Sequence, residues 1–184
     1  MESIIAELEH ALDQLMDAYQ QHYQALQQPL LLEGDERWQA PIYKEQTDTG
    51  EIRWEPLRQA QPLSFDSVAT ALEMDLHPSL QSFYGRWYSG DLQVTWRQHP
   101  LQLLQIHGDD DGERLQANLI GHVLMKQRLK QPITLFIGLA DESEDLLVTL
   151  DNASGAVGLE FVGKPQHEIL ADDLAKFVAE LQPR

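Results

Sequence analysis

The 184-residue sequence predicts an α+β fold in a single domain, and three observations predict it. Apolar residues recur at helical spacing near the N-terminus, over 110–130 and near the C-terminus. Between these segments lie short β-branched and aromatic runs bounded by Gly, Pro, Asp and Asn. Consecutive runs are joined by short turns, which favours a largely antiparallel or mixed sheet covered by helices. A chain of this size buries roughly 70% of its unfolded surface and needs no staple.

Ile4, Ile5, Leu8, Leu12, Leu15, Met16, Tyr19, Tyr23 and Leu26 make one apolar stripe on a long helix over 3–27. Ser3 is a suitable N-cap, Glu7 lies near the positive dipole end, and Pro29 stops the helix. The stripe is expected to pack on the domain, so 1–28 is part of a single unit spanning 1–184. Residues 30–62 read as irregular, with strands at 38–44 and 52–55 around the Asp48-Thr49-Gly50 turn. Ser64 is placed to cap a helix over 65–74, and His77-Pro78-Ser79-Leu80 starts another turn or two through Phe83 and Tyr84. Strands are expected at 92–96 and 101–106, separated by Gln98-His99-Pro100. Phe83, Tyr84, Trp87, Tyr88 and Trp96 are expected mainly in the core, with any exposed subset available to anchor a partner.

A helix over about 110–130 follows. Asp109, Asp110, Asp111 and Glu113 open it, and Lys126, Arg128 and Lys130 close it. The helix dipole favours that polarity by about 0.3–1 kcal/mol at each end, so the charges have a structural explanation before any function is invoked. Leu115, Leu119, Ile120, Val123 and Leu124 form its apolar face. Gly121 costs about 1 kcal/mol relative to Ala, which points to close packing against a neighbour. Strands at 133–140, 146–150 and 157–162 alternate with turns at 141–145 and 151–155, and a helix over about 171–181 completes the chain.

Composition restricts the function classes. With no cysteine, disulfide frameworks, thiolate metal sites and cysteine nucleophiles are excluded. The N-terminus lacks the basic and apolar regions of a signal peptide, and no apolar run is long enough to span a bilayer, so a soluble chain is expected. The formal net charge is -17 and the pI is about 4.6. That balance disfavours nucleic acid and anionic lipid and favours a basic protein surface, so a membrane would be met only indirectly through a protein partner.

No phosphate loop, nucleophile elbow or His-Glu-x-x-His is present, and the seven histidines lack ligand spacing. His122 reads as a core or boundary residue. Asp109-x-Asp111-Gly112 is the nearest approach to a calcium loop, but its first carboxylate and closing Glu are missing. The expectation is a binding protein that is not an enzyme, with no cofactor and no metal. The candidate partner-binding residues are acidic: Asp109, Asp110, Asp111 and Glu113; Asp141, Glu142, Glu144 and Asp145; and Glu73, Asp75 and Asp91. If the central helix and its following strand run antiparallel, the two main clusters can meet at one end and focus a negative field.

Two strings, ANLIGHVLMKQRLKQPITLFIG at 117–138 and LHPSLQSFYGRWYSGDL at 76–92, resemble the Syd family, within the wider SUKH-like group. The resemblance covers nearly the whole chain and is looser before about residue 30 and after about 155. It implies a peripheral protein on the cytoplasmic side of the bacterial inner membrane, with a soluble pool, that binds the channel protein SecY. It further implies a preference for SecY not assembled with its partners, and restraint of the translocase. SecY cytoplasmic loops are basic by the positive-inside rule, the electrostatic complement of an acidic chain. The SUKH resemblance implies an alternative, an immunity protein that neutralises a basic toxin by stoichiometric binding. The family supplies no catalytic residues to carry across.

Overall fold

The apolar stripe at the N-terminus forms α1 (Glu2–Ala25), which buries Leu8, Leu12, Leu15, Met16 and Tyr19. The computed structural model describes residues 1–35 and 37–184. Met1, not Ser3, occupies the cap position, with no side-chain cap; Ser3 lies inside the first turn. Arg86 holds α1 down, donating to both oxygens of Asp13 at 2.9 and 2.6 Å and to Glu9 at 3.2 Å, while the Trp87 indole donates to Asp13 at 2.9 Å.

β1 (Leu31–Glu33), β2 (Tyr43–Gln46) and β3 (Glu51–Trp54) form a small antiparallel sheet in the order β1-β3-β2. The hairpin expected around Asp48-Thr49-Gly50 is there, with Gly50 at φ 81°. Residues 38–42 are not strand: Tyr43 N–H donates to Ala40 O, a turn that Pro41 accommodates. β4 (Leu57–Arg58) pairs with β5 (Trp87–Tyr88). α2 (Asp66–Leu72) and α3 (Pro78–Gly85) lie between them. Ser64 Oγ accepts from Asp66 N–H at the start of α2, and His77 Nδ1 accepts from Ser79 N–H at the start of α3.

The main sheet has seven strands in the order β11-β10-β9-β8-β7-β6-β12, and every pairing is antiparallel. In chain order these are β6 (Leu92–Trp96), β7 (His99–Leu103), β8 (Thr134–Ala140), β9 (Leu146–Asp151), β10 (Val157–Phe161), β11 (Glu168–Ala171) and β12 (Leu181–Pro183). The α+β reading with a largely antiparallel sheet therefore holds. β6 turns into β7 through Arg97 and Gln98, at φ 46° and 74°. A two-residue hairpin turn of this kind needs positive φ, usually supplied by Asn or Gly. Without that signal, His99 and Pro100 read as loop, whereas both belong to β7.

α4 (Asp109–Arg128) crosses the sheet, and α5 (Leu174–Ala179) packs beside α1 and β11. α5 is shorter than its periodicity suggests because strands β11 and β12 flank it and Asp173 caps it, accepting from Lys176 N–H at 2.8 Å. Gly121 has no atom near its missing Cβ and is exposed. The close packing expected there does not occur, because Gly121 faces away from the sheet.

Candidate partner-binding groove

Chain direction separates the two acidic clusters. β7 runs from His99 to Leu103 and continues through 104–108 into α4. The turn 141–145 sits at the start of β7, where Asp141 N–H donates to Pro100 O and Glu142 lies 2.8 Å from His99 Nδ1. The carboxylates of α4 sit beyond its other end, roughly 20 Å of extended chain away. The expected meeting of the clusters at one end of the domain does not take place.

Their charges also differ in availability. Arg184 donates to Asp141 at 2.6 Å, Ser143 donates to Asp145 at 2.6 Å, and His99 holds Glu142. Glu73 and Asp75 are exposed near the 151–155 turn, where Asn152 Nδ2 donates to Asp75 O. Asp91 is not a surface charge. It is half-buried and accepts from Gln105 N–H and Gln102 Nε2, each at 3.0 Å. Burial pushes its carboxyl up, opposed by those donors and by His107.

The first turn of α4 forms one wall of a groove of about 750 Å³. The other wall is the segment 37–43, with Trp38 51% exposed. Gly108 permits this approach: a Cβ there would come within 2.7 Å of Pro41 Cδ. Tyr43 and His107 close the floor through an Oη–Nδ1 contact of 2.8 Å. Asp111 accepts from His107 N–H at 2.9 Å, which satisfies backbone at the helix start. Asp109 accepts from Tyr88 Oη at 2.5 Å. Burial, then that carboxylate, pushes the Tyr88 hydroxyl up to about 12, so it stays protonated and donates. Asp110 lines the groove and is exposed. Glu113 is exposed but lies outside the lining.

Two cations also line the groove. Asp35 neutralises Arg37 at 2.7 Å, and Arg114 lies 3.9 Å from Asp111. Among the described residues, three carboxylates therefore face one weakly paired cation across an exposed indole. That arrangement suits a positively charged segment, since carboxylates supply the field and the Trp38 face can take a Lys or Arg head. Sequence reasoning placed the acidic wall but missed Trp38, Pro41, Tyr43 and His107. Their only local signal was Gly108 before a helix, which does not say what approaches it.

A family model described as "Syd protein (SUKH-2)" matches residues 9–183. Among curated proteins, Protein Syd of Idiomarina loihiensis is 47% identical over 177 residues, covering 96% of this chain and 94% of that protein. Protein Syd of Alteromonas mediterranea is 43% identical over 173 residues, 94% of each. Protein Syd of Colwellia psychrerythraea is 37% identical over 171 residues, covering 88% of this chain and 85% of the relative.

Proposed function

The chain belongs to the Syd family, and from that premise we propose that it is a non-enzymatic, peripheral SecY-binding protein. It acts on the cytoplasmic side of the inner membrane and exchanges with a soluble pool. It docks the groove at the start of α4 onto the basic cytoplasmic loops of SecY, prefers SecY free of its usual partners, and so restrains the translocase. The observation that carries the reading is the set Asp109, Asp110 and Asp111 facing the exposed Trp38. A basic loop fits there, and basic loops mark the cytoplasmic side of channel proteins. Asp109 and Asp111 already hold Tyr88 and His107, commitments that suit a rigid docking surface more than proton transfer. Among the described residues, no helix is long and apolar enough to cross a membrane, and a peripheral attachment is compatible with that.

The test is binding of the purified chain to SecY in detergent across a salt series. Saturable binding is expected, falling steeply with salt as the field is screened. Combined Asp109→Asn, Asp110→Asn and Asp111→Asn substitution is expected to weaken it about tenfold or more, since exposed charge pairs contribute about 0–1 kcal/mol each. Binding indifferent to both would move the site elsewhere. The resemblance to the SUKH group supports one second reading, an immunity protein that neutralises a basic toxin through the same acidic groove. Absence of SecY binding at low salt, with SecY shown competent, would promote it.

A further inference from the structure

Cations are scarce here, and their distribution is uneven. Among the described residues, every Lys and Arg except Arg53, Arg128, Lys130 and Lys164 has a carboxylate partner. Three of those four lie together. Gln131 Nε2 donates to Gly163 O at 2.8 Å and Lys126 Nζ to Lys164 O at 3.0 Å, tying the end of α4 to the turn after β10. Arg128, Lys130 and Lys164 are all exposed there. Among the described residues nine large apolar side chains are exposed, and five of them, Leu124, Leu129, Phe161, Val162 and Ile169, lie on the second half of α4, just past its end, on β10 and β11, and in the turn after β10. Leu129, Val162 and Ile169 are 46%, 51% and 56% exposed.

We propose that this tip, at the end of α4 opposite the groove, is a contact site for an anionic lipid surface. Unpaired cations alone would suit any anion. Cations interleaved with exposed Leu, Val and Ile suit a layer in which anionic headgroups cover acyl chains: the ammonium and guanidinium groups meet phosphate while the apolar side chains enter the boundary. The charge of the rest of the chain orients the contact. A net -17 chain is repelled by an anionic surface over most of its area. At the tip Arg128, Lys130 and Lys164 must outweigh the exposed Glu144 and Asp145, which lie beside Val162 through its N–H bond to Asp145 O at 2.9 Å. The acidic groove is held away from lipid, about 30 Å along the 20 residues of α4. Composition alone disfavours direct lipid contact; the proposal departs from that expectation because it rests on where the few cations lie and not on their sum. The proposal stands beside the docking reading and does not depend on it.

The experiment is co-sedimentation of the full chain with phosphatidylcholine vesicles, with and without phosphatidylglycerol, at low and physiological salt. Binding to the anionic vesicles is expected, screened by salt, and about tenfold or more above the neutral ones. Combined R128Q, K130Q and K164Q is expected to abolish that difference. L129S with V162S is expected to reduce it several-fold at unchanged charge. D109N with D110N and D111N is expected to leave it intact, because those residues lie at the other end of α4. Equal binding to both vesicles, or binding indifferent to the R128Q, K130Q and K164Q set, would overturn the proposal. So would self-association that L129S and V162S abolish without vesicle binding, which would assign the tip to a second copy. SecY binding in detergent, run on the same proteins, separates a failure of the lipid contact from a failure of groove docking.

Discussion

The two ends of α4 treat charge in opposite ways. At its start, Asp109 and Asp110 are exposed and face a groove. In its last turns, Lys126 is 0% exposed and lies 3.2 Å from Glu160, itself 1% exposed. Around that pair the donors and acceptors are matched. Thr134 and Thr149 donate to Glu160 at 2.8 and 3.0 Å, and Lys126 also donates to Lys164 O. Because the Thr134 hydroxyl is spent on Glu160, it accepts from His122 Nε2 at 3.1 Å, which fixes the tautomer with hydrogen on that nitrogen. The lesson is that desolvation decides the role. A buried charge is locked into holding α4 on the sheet, whereas an exposed charge such as Asp110 keeps its hydration and can exchange it for a partner.

The comparison breaks most visibly at Lys126. Lys126→Ala leaves Glu160 charged, buried and unpaired, and chemical denaturation should show a loss of about 3–5 kcal/mol. Replacing both partners by Met should recover much of that, so a double-mutant cycle should show strong coupling. A single-variant cost below about 1 kcal/mol would show that water reaches the pair. Next is Arg86→Ala, which frees α1 from Asp13 and Glu9. We expect a loss of about 1–2 kcal/mol with faster hydrogen exchange in α1. The Asp13 carboxyl is held below its usual range, chiefly by the Arg86 hydrogen bond, and should rise toward it in that variant.

Gly121→Ala should act in the other direction, stabilising by up to about 1 kcal/mol, because the position is open and helical. At the exposed end, Asp110→Asn should change thermal stability by only about 0.3–1 kcal/mol, in contrast to its effect on binding. Acidification sharpens the comparison by sign. Burial pushes the His122 imidazole down from its ordinary value, opposed by Glu160. The unfolded chain therefore binds the proton first, and the native state loses stability as pH falls below about 6.5. His122→Gln should flatten that loss in denaturation series run between neutral and mildly acidic pH. An unchanged slope would move the cause to another group, such as His77, which burial also pushes down.

Much of this was legible in the sequence. The spacing of Leu8, Leu12, Leu15 and Tyr19 identified α1, and the opening aspartates with Leu119 and Val123 identified α4. The runs in β6, β8, β9 and β10 were also clear. The small strands β11 and β12 were not, because edge strands of three or four residues acquire their identity from the strand they pair with. Lys126 read as a cation at a helix end, since nothing local shows that Glu160, on a strand 34 residues later, faces it.

By itself, then, the sequence determined the fold class, the principal helices and strands and the acidic character of the chain, all properties of short windows and of sums. Only the tertiary structure decided which charges are spent and which are available. It sent the 141–145 carboxylates to the far end of β7, withdrew Asp91 from the surface, set Trp38 opposite Asp109, and left Arg128, Lys130 and Lys164 without a carboxylate partner among the described residues, near exposed apolar side chains. The reason is physical: partner and solvent exposure are set by distances through space between residues far apart in the chain, and those distances exist only once the chain has folded.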